Sequence, residues 1–172
     1  ARAGGRGEAR VSGGLRAGLF PEEAGVRLLD GSVLDALSAE ARSRPRLRAN
    51  ANLHAMEDPV HRLLNAVEPG TYIRPHRHLH PPKDETYVGV RGSLGLVLFD
   101  ASGAVAASRR LSAAAGGAFG VDIPAGVVHT VVALEEGPGF FEVKAGPYVP
   151  SAGADVPAWA PAEGEYAAAA YE

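Results

Sequence analysis

The sequence predicts an all-β barrel or sandwich that carries one short N-terminal helix. Three observations predict it. From about residue 60, short apolar or alternating runs follow one another: VHRLLNAV, TYIRPH, ETYVGV, SLGLVLF, AVAASRRL, AFGVDI, VHTVVAL and GFFEVKA. Strings bearing turn residues separate them, namely EPG, HPPKD, RG, DASG, AAGG, PAG and EEGPG. Runs of this length with glycine and proline punctuation read as strands of a sandwich or barrel. No interval between runs leaves room for the crossover helices that parallel strands need, so the strands are expected to pair antiparallel.

Taken in order, residues 1–18 read as a flexible tail, because Gly and Arg dominate and no apolar period appears. Residues 19–58 read as a helix and an extended segment packing on the barrel. Ser32 is expected to open the helix, with Asp35 in a capping-box position. Val33, Leu34 and Leu37 give it one apolar face, and Pro45 stops it. Residues 59–146 read as the barrel itself. DASG supplies a hairpin turn, since Asp and Gly accept the unusual backbone angles such turns require. Residues 147–172 are Pro- and Ala-rich and are expected to wrap the barrel, with Trp159 as anchor.

Composition excludes several function classes. The 172 residues suit one domain. The formal net charge of -3 gives no electrostatic case for nucleic acid or an anionic membrane surface. With no cysteine, a disulfide framework, a thiolate metal site and a cysteine nucleophile are all excluded. No apolar run reaches transmembrane length, and the basic N-terminal string lacks a secretory core, so a cytoplasmic location is the expectation.

Chemistry concentrates in the histidines. Four of the six fall within residues 61–80. His76 and His78 are two apart, and on a strand such side chains share a face. Both imidazoles can then reach one ion at about 2 Å. Glu85 opens the next run, and a returning antiparallel strand can bring its carboxylate beside the pair. Pro124, Gly126 and His129 place a further histidine at the start of a later strand. If strand parity holds, Tyr72 and Arg74 face the same cavity as His76 and His78. Arg74 would offer a carboxylate or phosphate a planar fork of donors. Tyr87 shares the parity of Glu85. Glu142 and Lys144 alternate with Phe141 and Val143, so the charged pair lies either outside or in the cavity. His54 and His61 read as a mouth residue and a structural residue respectively.

The string from Gly70 through His76, His78 and Glu85 to Gly92 resembles the first motif of the cupin superfamily, and Pro124, Gly126 and His129 resemble the second. The resemblance implies a single cupin barrel (a double-stranded β-helix, or jelly roll) with His76, His78, Glu85 and His129 as metal ligands. Six residues separate His78 from Glu85, where the superfamily has about three or four. His80 lies in that longer gap and can take the place of Glu85. Glu85 is favoured because it keeps its six-residue spacing to Gly92. Ala133 stands where an asparagine is common in the superfamily. A narrower likeness joins RLRANANLH, DPVHRLLNAVEPGTYIRPHRH, FEVKAGPY and WAP, which together resemble the WbuC-type cupin fold metalloproteins over residues 45–165. Those proteins are associated with surface-polysaccharide gene clusters, and their biochemical function is not established.

Three imidazoles and one carboxylate imply one divalent transition metal: Fe, Mn, Ni or Zn. The leading expectation is a metalloenzyme acting on a polar, sugar-related metabolite by isomerisation, hydrolysis or dioxygenation. Tyr72, Arg74, Glu142 and Lys144 are its candidate catalytic residues. The alternative is a non-catalytic, metal-dependent metabolite or sugar sensor. A small molecule is the expected partner, without nucleic acid or membrane. Cupins often pair, so a homodimer accords with the resemblance.

Overall fold

A computed structural model describes residues 25–150 and 153–165. The tail expected over 1–18 lies outside the described residues. The helix α1 (Gly31–Ser43) precedes eight strands: β1 (Arg48–Asn52), β2 (Val60–Val67), β3 (Glu85–Arg91), β4 (Ser93–Phe99), β5 (Val105–Ser112), β6 (Gly120–Ile123), β7 (Val128–Ala133) and β8 (Gly139–Ala145). They form two antiparallel sheets, one ordered β1-β2-β8-β3-β6 and the other β5-β4-β7.

The principal core lies between the sheets. Val67, Tyr87, Ile123 and Phe140 from the larger sheet meet Leu94, Leu96, Leu111 and Val131 from the smaller. A second apolar cluster covers the outer face of the larger sheet. There Val33, Leu34, Leu37 and Ala41 of α1 pack on Ala49, Leu64 and Ala66. Strand alternation sorts the two layers. On β2, Leu64 and Ala66 face the helix, while Asn65 and Val67 face the barrel interior. On β8, Phe141 packs toward the helix, whereas Phe140, Glu142 and Lys144 face inward. The charged pair Glu142 and Lys144 is therefore inside.

Two sequence expectations need correction here. The helix cap is Asp30 rather than Ser32: the Asp30 carboxylate accepts from Ser32 N at 2.9 Å, so Ser32 sits inside the first turn. The run TYIRPH forms no regular strand, and residues 71–84 hold only isolated bridges and a turn at 80–81. Pro75, Pro81 and Pro82 each remove a donor that a ladder would use. Of the two isolated bridges, one is local, Leu79 with Pro82, and the other joins His76 to His129 through backbone bonds of 3.1 and 2.9 Å.

The expected segment at 147–172 is described as far as residue 165, except for 151–152, and crosses the 71–79 chain. Arg77 N donates to Asp155 O at 2.9 Å, and Leu79 N to Asp155 Oδ1 at 2.8 Å. Trp159 lies with its ring centroid 5.2 Å from that of Phe99. It also covers Gly103, where a Cβ would stand 2.7 Å from the indole, so the turn before β5 accepts only glycine beneath the ring.

Arg91 ties α1 to the barrel by donating to Gly137 O, Leu34 O and Asp35. Leu37 is fully buried in the outer cluster. Leu37→Ala should lower the unfolding free energy by about 2–5 kcal/mol in urea titration. Metal content of the folded variant should stay unchanged, because the lost contacts lie on the far side of the sheet from the histidines.

Candidate metal centre

Antiparallel register assembles the site. Glu85 begins β3 opposite Lys144 of β8, and Tyr87 stands opposite Glu142. The His76–His129 bridge carries β7 of the smaller sheet to the same place. Among the described residues, His76, His78 and Glu85 offer ligand atoms that all lie within 4.8 Å of one another. Such a group is able to hold a metal ion. His76 and His78 thus converge without the regular strand that the i, i+2 reading assumed. His129 places Nε2 3.0 Å from Glu85 Oε2 and packs at 4.7 Å between ring centroids from His76. It adjoins the compact group through Glu85. His80 is exposed in the turn before Pro81 and is not part of the group.

Glu85 is the hub, with only 1% of its surface exposed. Its Oε1 accepts from Lys144 Nζ at 2.8 Å and lies 3.0 Å from His78 Nε2. Its Oε2 accepts from Tyr87 OH at 2.8 Å. Burial alone would raise the Glu85 carboxyl. The adjacent His129 and His78 and the charge of Lys144 outweigh it and hold the group well below the usual carboxylate range. Burial likewise opposes the Lys144 charge, but Glu142 and Glu85 raise its ammonium above the ordinary value. Lys144 also contacts Glu142 Oε1 at 2.6 Å, and Asn65 Nδ2 donates to Glu142 Oε2 at 2.8 Å. Despite the close ammonium, burial and the Glu85 charge push Glu142 upward. Those two effects prevail because a single Lys144 is shared between two carboxylates. Tyr87, fully enclosed, is raised by burial and by both carboxylates.

The donor set fits a divalent cation. His76 Nδ1 lies 2.9 Å from Arg74 O, and His129 Nδ1 lies 2.9 Å from Val127 O. A carbonyl can only accept, so each Nδ1 carries the proton and each Nε2 of a neutral ring presents a lone pair. The Nε2 of His129 then faces a carboxylate oxygen 3.0 Å away, an approach that either a proton on that nitrogen or a metal ion held by both atoms satisfies. His78 Nε2 is buried 3.0 Å from Glu85 Oε1 without an aligned hydrogen bond. Backbone carbonyls fixing the outer nitrogens of ligating histidines are a common feature of metal sites.

Tyr72 and Arg74 do not reach this site. Tyr72 OH donates to Pro161 O at 2.9 Å, and Arg74 donates from Nε and Nη2 to Ala160 O. The parity argument fails because the chain around Pro75 is irregular: Ile73, rather than its neighbours, lines the cavity together with His76. That cavity, of about 240 Å³, is also lined by Glu85, Tyr87, His129, Glu142 and Lys144. Asn65 and Arg48 line it too and were not singled out from sequence. For Asn65, the period-2 pattern of VHRLLNAV carried the signal, since a polar residue there shares the face of Val67. His61 is buried against Met56 O, and its ring stacks on His54 at 4.0 Å.

A family model described as a domain of unknown function, DUF6016, matches residues 29–111. No curated protein matches the chain. Among solved structures, the chain is similar to KdgF from Halomonas sp., at 19% identity and a TM-score of 0.47 over 59% of this chain and 80% of that one. It is similar to a conserved protein of unknown function from Streptococcus pyogenes, at 15% identity and a TM-score of 0.46 over 62% and 80%. An oxalate oxidase solved with the substrate analogue glycolate matches at 22% identity and a TM-score of 0.46, over 59% and 52%. The fold is mostly β, two antiparallel sheets with one N-terminal helix. With TM-scores below 0.5 these likenesses carry nothing about function, and the fold class rests on the two-sheet strand order and on the His76–His129 pairing. The matches do not show the WbuC-type family that the linked motifs resemble. No helix among the described residues is long and apolar enough to cross a membrane.

Burial lowers the His76 imidazole from 6.5 to about 4, with His129 adding to the effect. Between those values an unfolded chain binds a proton at His76 that the folded chain refuses, so folding stability falls as pH drops through that window. Glu85, depressed in the fold, adds loss in the same direction at lower pH. Metal-free protein followed by urea unfolding should lose stability on the order of 3 kcal/mol from His76 between pH 7 and 4. His76→Asn should flatten that part of the profile.

Proposed function

We propose that the protein is a metal-dependent enzyme acting on a small, polar metabolite, with His76, His78, Glu85 and His129 as the ligands of one divalent transition ion. The observation that carries this reading is the His76-His78-Glu85 group, whose His76 and Glu85 line one cavity with a second buried carboxylate, Glu142, that Lys144 bridges to Glu85. A divalent ion bound there supplies Lewis acidity toward an oxygen-bearing substrate.

The chain's own residues do the rest. Lys144 fixes Glu85 and Glu142 relative to each other and stays charged. Glu142, pushed upward by burial and oriented by Asn65, is placed to take or return a proton at Oε1 or Oε2. Tyr87 holds Glu85 Oε2 by its hydroxyl and closes the apolar floor with Phe140, 5.1 Å away between ring centroids. Tyr72 and Arg74 act as positioning residues for the crossing C-terminal segment. The cavity is below the size that holds drug-sized ligands, which favours a metabolite of few atoms. A sugar-related substrate from a surface-polysaccharide context accords with the resemblance to WbuC-type proteins, and a cytoplasmic location accords with it too.

Purified protein should contain close to one equivalent of Fe, Mn, Ni or Zn by elemental analysis. The double variant His76→Ala, His78→Ala should contain almost none while keeping its far-ultraviolet circular dichroism. Stoichiometric metal in that variant would sink the assignment. Glu142→Gln should keep the metal, and turnover of any metabolite found by thermal-shift screening should fall by about 10²–10⁴-fold. Metabolite binding without turnover in the parent protein would instead mark a metal-dependent sensor.

A further inference from the structure

The metal-binding cavity runs outward to three arginines, Arg44, Arg46 and Arg48, which line the same space as His76, Glu85 and His129. Arg44 is paired with Glu40 on its own helix end. Arg46 and Arg48 are occupied differently. Both hold one oxygen of Glu163: Arg46 Nε donates to Oε1 at 2.7 Å, and Arg48 Nη1 lies 2.9 Å from the same atom. Glu163 arrives from the far end of the chain, in a tight turn in which Glu165 N donates to Ala162 O and Gly164 has a φ of +84°. The segment before this turn is fastened independently by Tyr72 and Arg74. A carboxylate is thus delivered to a pair of guanidiniums at the cavity mouth by a turn that lies beyond the residues Tyr72 and Arg74 fasten.

Resting on the metal-site reading above, we infer that Arg46 and Arg48 are the substrate's carboxylate-binding subsite, and that Glu163 fills it until substrate displaces it. Guanidinium pairs suit planar carboxylates. Arg48 is the inner member, with 19% of its side chain exposed against 61% for Arg46, and it is braced by donating from Nη1 to Tyr72 O at 2.5 Å. The arrangement gives the site a substrate class: a small acid whose carboxylate rests on the arginines while its other end points toward His76 and Glu85. It also gives Glu163 the role of an intramolecular competitor. A tethered group competes at an effective concentration on the order of millimolar.

The test uses the full chain, as purified and after chelator treatment, titrated with propionate at low salt and followed by heteronuclear NMR shifts. Propionamide is the uncharged control. Glu163→Gln should tighten propionate binding roughly fivefold to tenfold and leave propionamide unaffected. Adding Arg48→Gln to that variant should remove the gain. Because Arg48 also braces the Tyr72 carbonyl, Arg46→Gln in the Glu163→Gln background serves as a second variant and should weaken binding severalfold. Unchanged propionate affinity in Glu163→Gln overturns the inference, as does an undiminished gain in the Arg46→Gln combination. Inorganic phosphate binding more tightly than propionate in Glu163→Gln overturns the carboxylate class. A Glu163→Gln gain in protein that contains no metal as purified supports the subsite while counting against the metal reading. Normal metal content without the gain does the reverse.

Discussion

The buried carboxylate of Glu85 is the constraint on which the site depends. A charge enclosed to this degree is costly unless fixed partners compensate it. Lys144, Tyr87, His78 and His129 all converge on its two oxygens. Tyr87 stands two residues along the same strand, His78 arrives on the chain just beyond the bridged His76, and backbone pairing brings in Lys144 and His129. Register between β3 and β8 sets Lys144 across from Glu85. The His76–His129 bridge carries in the smaller sheet. A slip of one residue along β8 would turn Glu142 and Lys144 toward α1 and leave Glu85 without its cation. The apolar layers on both faces of the larger sheet oppose such a slip, since it would set the charges of Glu142 and Lys144 against the outer one and take Phe140 from the inner one.

Much of the architecture was legible because alternation and punctuation are local signals. Seven of the eight runs read as strands are strands β2 to β8 within a residue or so. The exception, TYIRPH, failed where Pro75 and the following prolines withhold ladder donors, and the parity argument for Tyr72 and Arg74 failed with it. β1 was read only as part of an extended segment, because the apolar positions of RANAN are two small alanines that give a weak signal; it is a strand through pairing with β2, a long-range fact. The helix was visible in its apolar face, yet its cap moved to Asp30 because any short polar side chain near the first turn can serve there.

The site divides along the same line. His76, His78 and Glu85 stood out because motif spacing survives irregular backbone, as their shared geometry does. The inward position of Glu142 and Lys144 could not be settled from alternation, which fixes that two residues share a face but not which face is inside. Asn65 and Arg48 act through partners about 77 and 115 residues away, at Glu142 and Glu163. No window of local sequence reports such meetings.

One consequence follows from where the aromatic side chains fall. The chain has a single tryptophan. Trp159 is neither in the barrel core nor on the helix; it rests on Phe99 and Gly103 at the seat of the crossing segment. Intrinsic indole emission from this protein is therefore a native optical probe of one element. A spectral shift marks the C-terminal segment leaving its seat, while the amide signal reports the sheets. Undocking and unfolding are thus spectrally separable in the unlabelled chain.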